Sequence, residues 1–84
     1  MSVPLPIEVV LVEDDGALLE ATTQALALEG MQVQAFGDAA AALRSVSREF
    51  AGVIVSDVRM PGMDGLEFFA RLRGLDPDLP VILT

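Results

Sequence analysis

The chain contains no cysteine, histidine, lysine, tryptophan or tyrosine. Without Cys it has no disulfide and no thiol nucleophile, and without Cys and His the usual zinc sites and any imidazole base are gone. Its few aromatics are all Phe (Phe36, Phe50, Phe68 and Phe69), and with the four Met they read as core and loop packing rather than a cofactor box. Positive charge is scarce: Arg44, Arg48, Arg59, Arg71 and Arg73 stand against thirteen Asp and Glu, a formal net charge of −8 and a pI near 4.1. Such a surface repels phosphate backbones, so direct nucleic-acid binding is not expected. Long apolar runs are missing too. The run Ile7 to Val12 is interrupted by Glu8 and is far too short to cross a bilayer. The start, Met1 to Pro6, has no basic n-region. No membrane association and a cytoplasmic location are the expectation.

What is present is a globular composition, 52 % hydrophobic over 84 residues, enough for one small domain at most. A domain this size buries only about 60–65 % of the surface its unfolded chain exposes, so its stability is marginal. Short apolar runs alternate with helical patterns, with no internal repeat. Ile7-Glu8-Val9-Val10-Leu11-Val12 is β-branched and nearly all apolar, as in a strand covered on both faces. Asp15 then caps a predicted helix over 16–29 with Leu18, Thr22, Ala25 and Leu26 inward and Gly30 as its stop. Met31 to Phe36 alternates apolar and polar, suiting a half-exposed strand near an edge.

Gly37-Asp38 is a turn and N-cap for a second helix over 39–48, with Ala39, Ala42, Leu43 and Val46 inward. Gly52 to Ser56 is a third strand, ended by Asp57. Val58 to Gly65 holds two Gly, a Pro and an Asp and is a loop, with Asp64 capping the helix that follows. That third helix spans 66–73 with Leu66, Phe69 and Leu72 inward, and Pro80 to Thr84 begins a fourth strand. A β-α-β-α-β-α-β order predicts a parallel α/β sheet with right-handed crossovers.

In such sheets ligands bind beyond the carboxyl ends of the strands. Glu13, Asp14 and Asp15 follow the first strand and Asp57 closes the third. If those strands are neighbours, about 4.8 Å apart, the acids converge on one edge. Like charges that close raise one another's pKa or recruit a cation, and an all-oxygen, water-rich site favours Mg²⁺ or Mn²⁺. Asp15, Asp38 and Asp64 are read as helix caps, Glu8 as solvated, and Asp76 and Asp78 as loop residues flanking Pro77. Glu13, Asp14 and Asp57 resist those plain readings, because acids at two apolar strand ends are costly without a partner.

Val10-Leu11-Val12-Glu13-Asp14-Asp15, followed by Val55-Ser56-Asp57-Val58-Arg59-Met60-Pro61-Gly62-Met63-Asp64-Gly65, resembles the receiver domain of bacterial two-component response regulators, from about Ile7 to the last residue. The second stretch is the specific one, and its wording is similar to receivers attached to DNA-binding activators, especially the sigma-54-dependent kind. The resemblance implies an open, doubly wound, flavodoxin-like sheet of strand order 2-1-3-4, with residues 1–84 forming a single partial receiver domain that lacks the fifth strand. It implies that Asp57 is the phosphoacceptor and that a phosphohistidine on a sensor kinase is the donor. Asp14 and Asp57 would hold Mg²⁺ together with the backbone carbonyl of Arg59, and Glu13 would act through water. It further implies a switched output domain outside this chain.

The match is incomplete. The family's active-site Lys, at the end of its fifth strand, has no counterpart, and the aromatic switch residue of that strand is absent too. Thr84 is similar to the family's switch Ser or Thr, but lies four residues after Pro80 where five is usual. Missing helices on both faces would leave Val9, Leu11, Val53 and Val55 partly uncovered, so a poorly stable or self-associating chain, a homodimer included, is expected. Two other functions compete. An aspartyl-nucleophile phosphatase of the haloacid-dehalogenase kind needs a second Asp two residues on, where Arg59 stands. A module that keeps the fold without the chemistry is opposed by the intact acidic set.

Overall fold

The computed structural model describes residues 7–84, so the stretch Met1 to Pro6, read above for a targeting signal, lies outside the described residues. Strands and helices alternate as β1 (Glu8–Val12), α1 (Gly16–Leu28), β2 (Gln32–Phe36), α2 (Ala39–Ser45), β3 (Val53–Ser56), α3 (Gly65–Leu75) and β4 (Val81–Leu83). All strand pairs are parallel, in the order β2-β1-β3-β4. This is the expected open, doubly wound α/β sheet, with β2 and β4 at its edges.

β1 is central because its side chains are buried on both faces, Val9 to Val12 being at most 4 % exposed. Val10 and Val12 join Ile54 in a core closed by Ala39, Ala42 and Val46 from α2 and its end, Phe68 and Leu72 from α3, and Met60 and Leu79 from loops. On the other face α1 covers β1 and β2 but little of β3. Val9 and Leu11 are buried there, while Val53 and Val55 are half-buried and Ile82 is 53 % exposed. The expectation that all four β1 and β3 residues would be partly uncovered therefore holds only for the β3 pair, because α1 lies nearer β1 and β2.

Each helix starts at the Asp the sequence offers. Asp15 accepts from the amides of Ala17 and Leu18, Asp38 from Ala41, and Asp64 from Glu67. α1 stops where Gly30 takes φ +87°, a left-handed backbone with no penalty for glycine. Gly30 N–H donates to the Ala27 carbonyl and Met31 N–H to that of Leu26, the paired bonds of a Schellman end.

Two helix faces and one boundary differ from expectation. α3 turns Gly65, Phe68 and Leu72 inward, leaving Leu66 61 % exposed and Phe69 half-buried under the Arg73 guanidinium, 4.6 Å from its ring centre. Apolar residues occur on both phases of this helix, and the close seating of Gly65 decides between them. α1 has no buried residue at all. Leu19, Thr22, Thr23 and Leu26 are half-buried, whereas Leu18 and Ala25 are exposed. α2 ends at Ser45 rather than 48, because Val46 adopts an extended backbone and puts its side chain into the core.

Candidate functional site

The strand order reverses at β1, and the register there places the acids. Val12 pairs with Ser56, and the Asp57 amide donates to the Val12 carbonyl at 3.2 Å. Glu13 and Asp57 are therefore the next residues on adjacent parallel strands, pointing off the carboxyl edge together. Glu13 is tied from its other side, its amide donating to the Phe36 carbonyl of β2 at 3.1 Å. Asp14 follows at the mouth. One carboxylate oxygen from each of Glu13, Asp14 and Asp57 lies within 4.8 Å of the others.

Their surroundings differ. Asp14 is exposed, Asp57 half-buried, and Glu13 only 7 % exposed. The Glu13 carboxyl is pushed from 4.5 up to about 7, first by a side-chain hydrogen bond with Asp57, then by burial, then by the charges of Asp57, Asp14 and Asp15. A proton at Glu13 relieves the repulsion that three converging carboxylates create. The donor set is hard oxygen throughout, which suits a divalent cation of the Mg²⁺ type.

The structure also places the remaining residues named from the sequence. Thr84 continues the β4 ladder, its amide donating to Ser56 O at 3.0 Å, and its hydroxyl donates to Asp57 Oδ1 at 3.0 Å. Arg59 is exposed in the loop after β3, beside a shallow depression it shares with Val58, Met60, Pro61 and Asp64. Asp15 and Asp64 are caps, not members of the cluster. A depression of about 150 Å³ beside the acids is lined by Glu13, Asp57, Thr84 and, from α1, Leu18 and Thr22. Leu18 and Thr22, expected only on the packed stripe of α1, are thus neighbours of the site that the sequence pattern does not name. Their i, i+4 spacing directly after the acidic run was the available signal.

A flavodoxin-like sheet with acids gathered at the crevice where its strand order reverses defines a signalling domain of the receiver class. Comparison with known proteins makes the assignment specific: the sequence profile of the response regulator receiver domain matches residues 9–84, and the chain belongs to that family. It is 51 % identical over 76 residues to the C4-dicarboxylate transport transcriptional regulatory protein DctD of Rhizobium meliloti (strain 1021), covering 90 % of this chain and 16 % of that protein. It is 46 % identical over 76 residues to the response regulator protein FleR of Pseudomonas aeruginosa, again with 90 % and 16 % covered. The chain thus spans about a sixth of the length of these relatives. Among solved structures, the CheY-like receiver domain protein of Methanospirillum hungatei JF-1 superposes with a TM-score of 0.86 at 29 % identity, over 94 % of this chain and 63 % of that one. FixJ-N gives 0.85 at 29 %, over 95 % and 64 %.

Proposed function

We propose that this chain is a single, partial receiver domain that accepts a phosphoryl group on Asp57 from a sensor histidine kinase and passes the change to an output domain. The observation that carries this reading is the β1–β3 register, which gathers Glu13, Asp14 and Asp57 at the switch point. In the transfer, an Asp57 carboxylate oxygen attacks the phosphorus of a phosphohistidine. The new P–O bond forms as the P–N bond breaks, and the departing imidazole nitrogen keeps the electron pair and takes a proton. The resulting acyl phosphate hydrolyses readily, which suits a transient signal rather than turnover of a substrate.

A carboxylate is a weak nucleophile, but phosphoryl transfer depends mainly on positioning and on neutralising charge. Asp14 and Asp57, with Glu13 through water and the Arg59 carbonyl, would hold Mg²⁺ or Mn²⁺, which supplies that neutralisation when bound. Glu13 would give up its shared proton to make room for the cation. No Lys is among the 84 residues, so the cationic side chain that the family resemblance calls for is not supplied by this chain. The Thr84 hydroxyl, which donates to Asp57 Oδ1, would move to a phosphoryl oxygen and so report the modification.

That relatives are transcriptional regulatory proteins supports a transcriptional output rather than nucleic-acid binding by this acidic domain itself, and the wording of the Asp57 to Gly65 motif supports one of the sigma-54-dependent kind. Among the described residues no helix is long and apolar enough to cross a membrane. That fits a cytoplasmic location, and the apolar β3–β4 face fits self-association into a homodimer.

Incubation with acetyl phosphate and Mg²⁺, followed by intact mass measurement, tests the proposal. One acid-stable, alkali-labile phosphoryl addition is expected, lost in Asp57→Asn. Continuous phosphate release from a small phosphoester, surviving Asp57→Asn, would overturn it.

A further inference from the structure

The peptide unit of Asp57 is gripped from several directions, and two of the grips use residues outside the acidic cluster. The Ser56 hydroxyl, fully buried, donates to the Asp57 carbonyl at 3.0 Å. On another side stands Gly65, buried at the first turn of α3, its amide bonded to the Val58 carbonyl at 2.8 Å. A Cβ at position 65 would lie 2.2 Å from the Asp57 carbonyl oxygen, 2.7 Å from Val58 Cα and 3.0 Å from the Asp57 carbonyl carbon. All three atoms are backbone, so no rotamer change can make the room. Gly65 needs no left-handed conformation; glycine is required here by space alone.

We infer that Ser56 and Gly65 are positioning residues, a clamp on the Asp57 carbonyl that sets where its carboxylate stands against Glu13 and Asp14. The Asp57 amide is already fixed to Val12, and the next amide, that of Val58, to the Thr84 carbonyl at 3.2 Å. Holding the carbonyl as well leaves the residue little freedom except about its side-chain bonds. Any side chain at 65 must drive α3 and the β3–α3 loop off Asp57 by about 1 Å to restore ordinary contact. Displacements of that size at a reacting group cost about 100-fold in rate.

The inference rests on Asp57 as the phosphoacceptor, and Gly74 provides the internal control. It lies in the same helix, and a Cβ there would meet nothing within 4 Å. Gly65→Ala is expected to slow phosphorylation by acetyl phosphate about 10- to 100-fold per folded molecule. Ser56→Ala, which adds no bulk, is expected to slow it about 3- to 10-fold. Gly74→Ala should leave it unchanged. Hydrogen exchange at the Asp57 amide, which requires no phosphoryl transfer, is expected to speed up in both clamp variants while amides of β1 stay protected. A residue that merely supports the fold would move all amides together.

Far-UV circular dichroism gives the folded fraction for the normalisation. If Gly65→Ala does not fold, Ser56→Ala decides alone by the same two readouts. Wild-type rates and wild-type Asp57 exchange in the folded clamp variants overturn the clamp. Absence of phosphorylation in the wild type instead overturns the phosphoacceptor reading, and the exchange measurement then still decides the clamp.

Discussion

At the residue scale, Glu13 sets the pH behaviour of the site. Its carboxyl, at about 7 in the folded chain against 4.5 ordinarily, keeps its proton while the unfolded chain has lost it. Below pH 4.5 both states are protonated and the associated stability is fully present. It is lost as pH rises through the window up to about 7, since there the folded state binds the extra proton. Thermal melts of the metal-free chain between pH 4.5 and 8 should therefore show a decline that Glu13→Gln removes, leaving the variant more stable than wild type above pH 7. Equal pH slopes for the two would refute the raised carboxyl. Adding Mg²⁺ at pH 8 should restore stability in the wild type by mass action, and less so in Glu13→Gln.

Asp15 offers a contrast two positions away. It bonds two amides at the start of α1 and is absent from the carboxylate cluster, so it is a cap rather than a ligand. Asp15→Ala is expected to cost about 1 kcal/mol, read from urea unfolding, with phosphorylation of Asp57 unchanged. A collapse in phosphorylation with stability intact would reverse that assignment.

At the scale of elements, α3 separates what periodicity can and cannot tell. Leu66, Phe68, Phe69, Leu72 and Leu75 put apolar side chains on several phases, so spacing alone allows more than one inward face. The contact of Gly65 with the β3 end picks the one carrying Phe68 and Leu72. Phe68→Ala should then cost about 3–5 kcal/mol, a large share of a total stability of about 4–13 kcal/mol. Phe69→Ala should cost about 1 kcal/mol, mainly through its contact with Arg73. Denaturant titrations giving equal losses would show that the helix is rotated from this placement. The one ion pair among the described residues, Arg71 to Glu67 at 3.4 Å, is exposed on both sides and adds little.

At the scale of the whole molecule, the two faces of the sheet are unequal. α2 and α3 close one face over Val10, Val12 and Ile54, each at most 1 % exposed. The other keeps an apolar depression of about 240 Å³ lined by Ile7, Val9, Leu26, Met31, Val53, Val55 and Ile82. It runs out to β4, an edge strand able to pair with another chain. The chain is expected to bind an apolar reporter dye in its native state and to associate as concentration rises, with added salt favouring association by screening its −8 charge. Sedimentation equilibrium giving a monomer throughout, together with no dye binding, would contradict this.

How much of this could be read from the chain alone follows from the range of the forces involved. β-branched runs, Asp caps and the Gly30 stop act within a few residues, so the order of elements, the parallel sheet and the acids at two strand ends were visible in the sequence. The sequence could also present Glu13, Asp14 and Asp57 as a set, because their types and places after apolar runs leave few plain explanations. The tertiary structure alone decided which apolar stripe of α1 and α3 faces inward, that α2 ends at Val46, and that Thr84 reaches Asp57. It alone brought out the grip of Ser56 and Gly65 on the Asp57 carbonyl. Those depend on contacts between residues far apart in the chain, where one atom too many at position 65 matters more than any local preference.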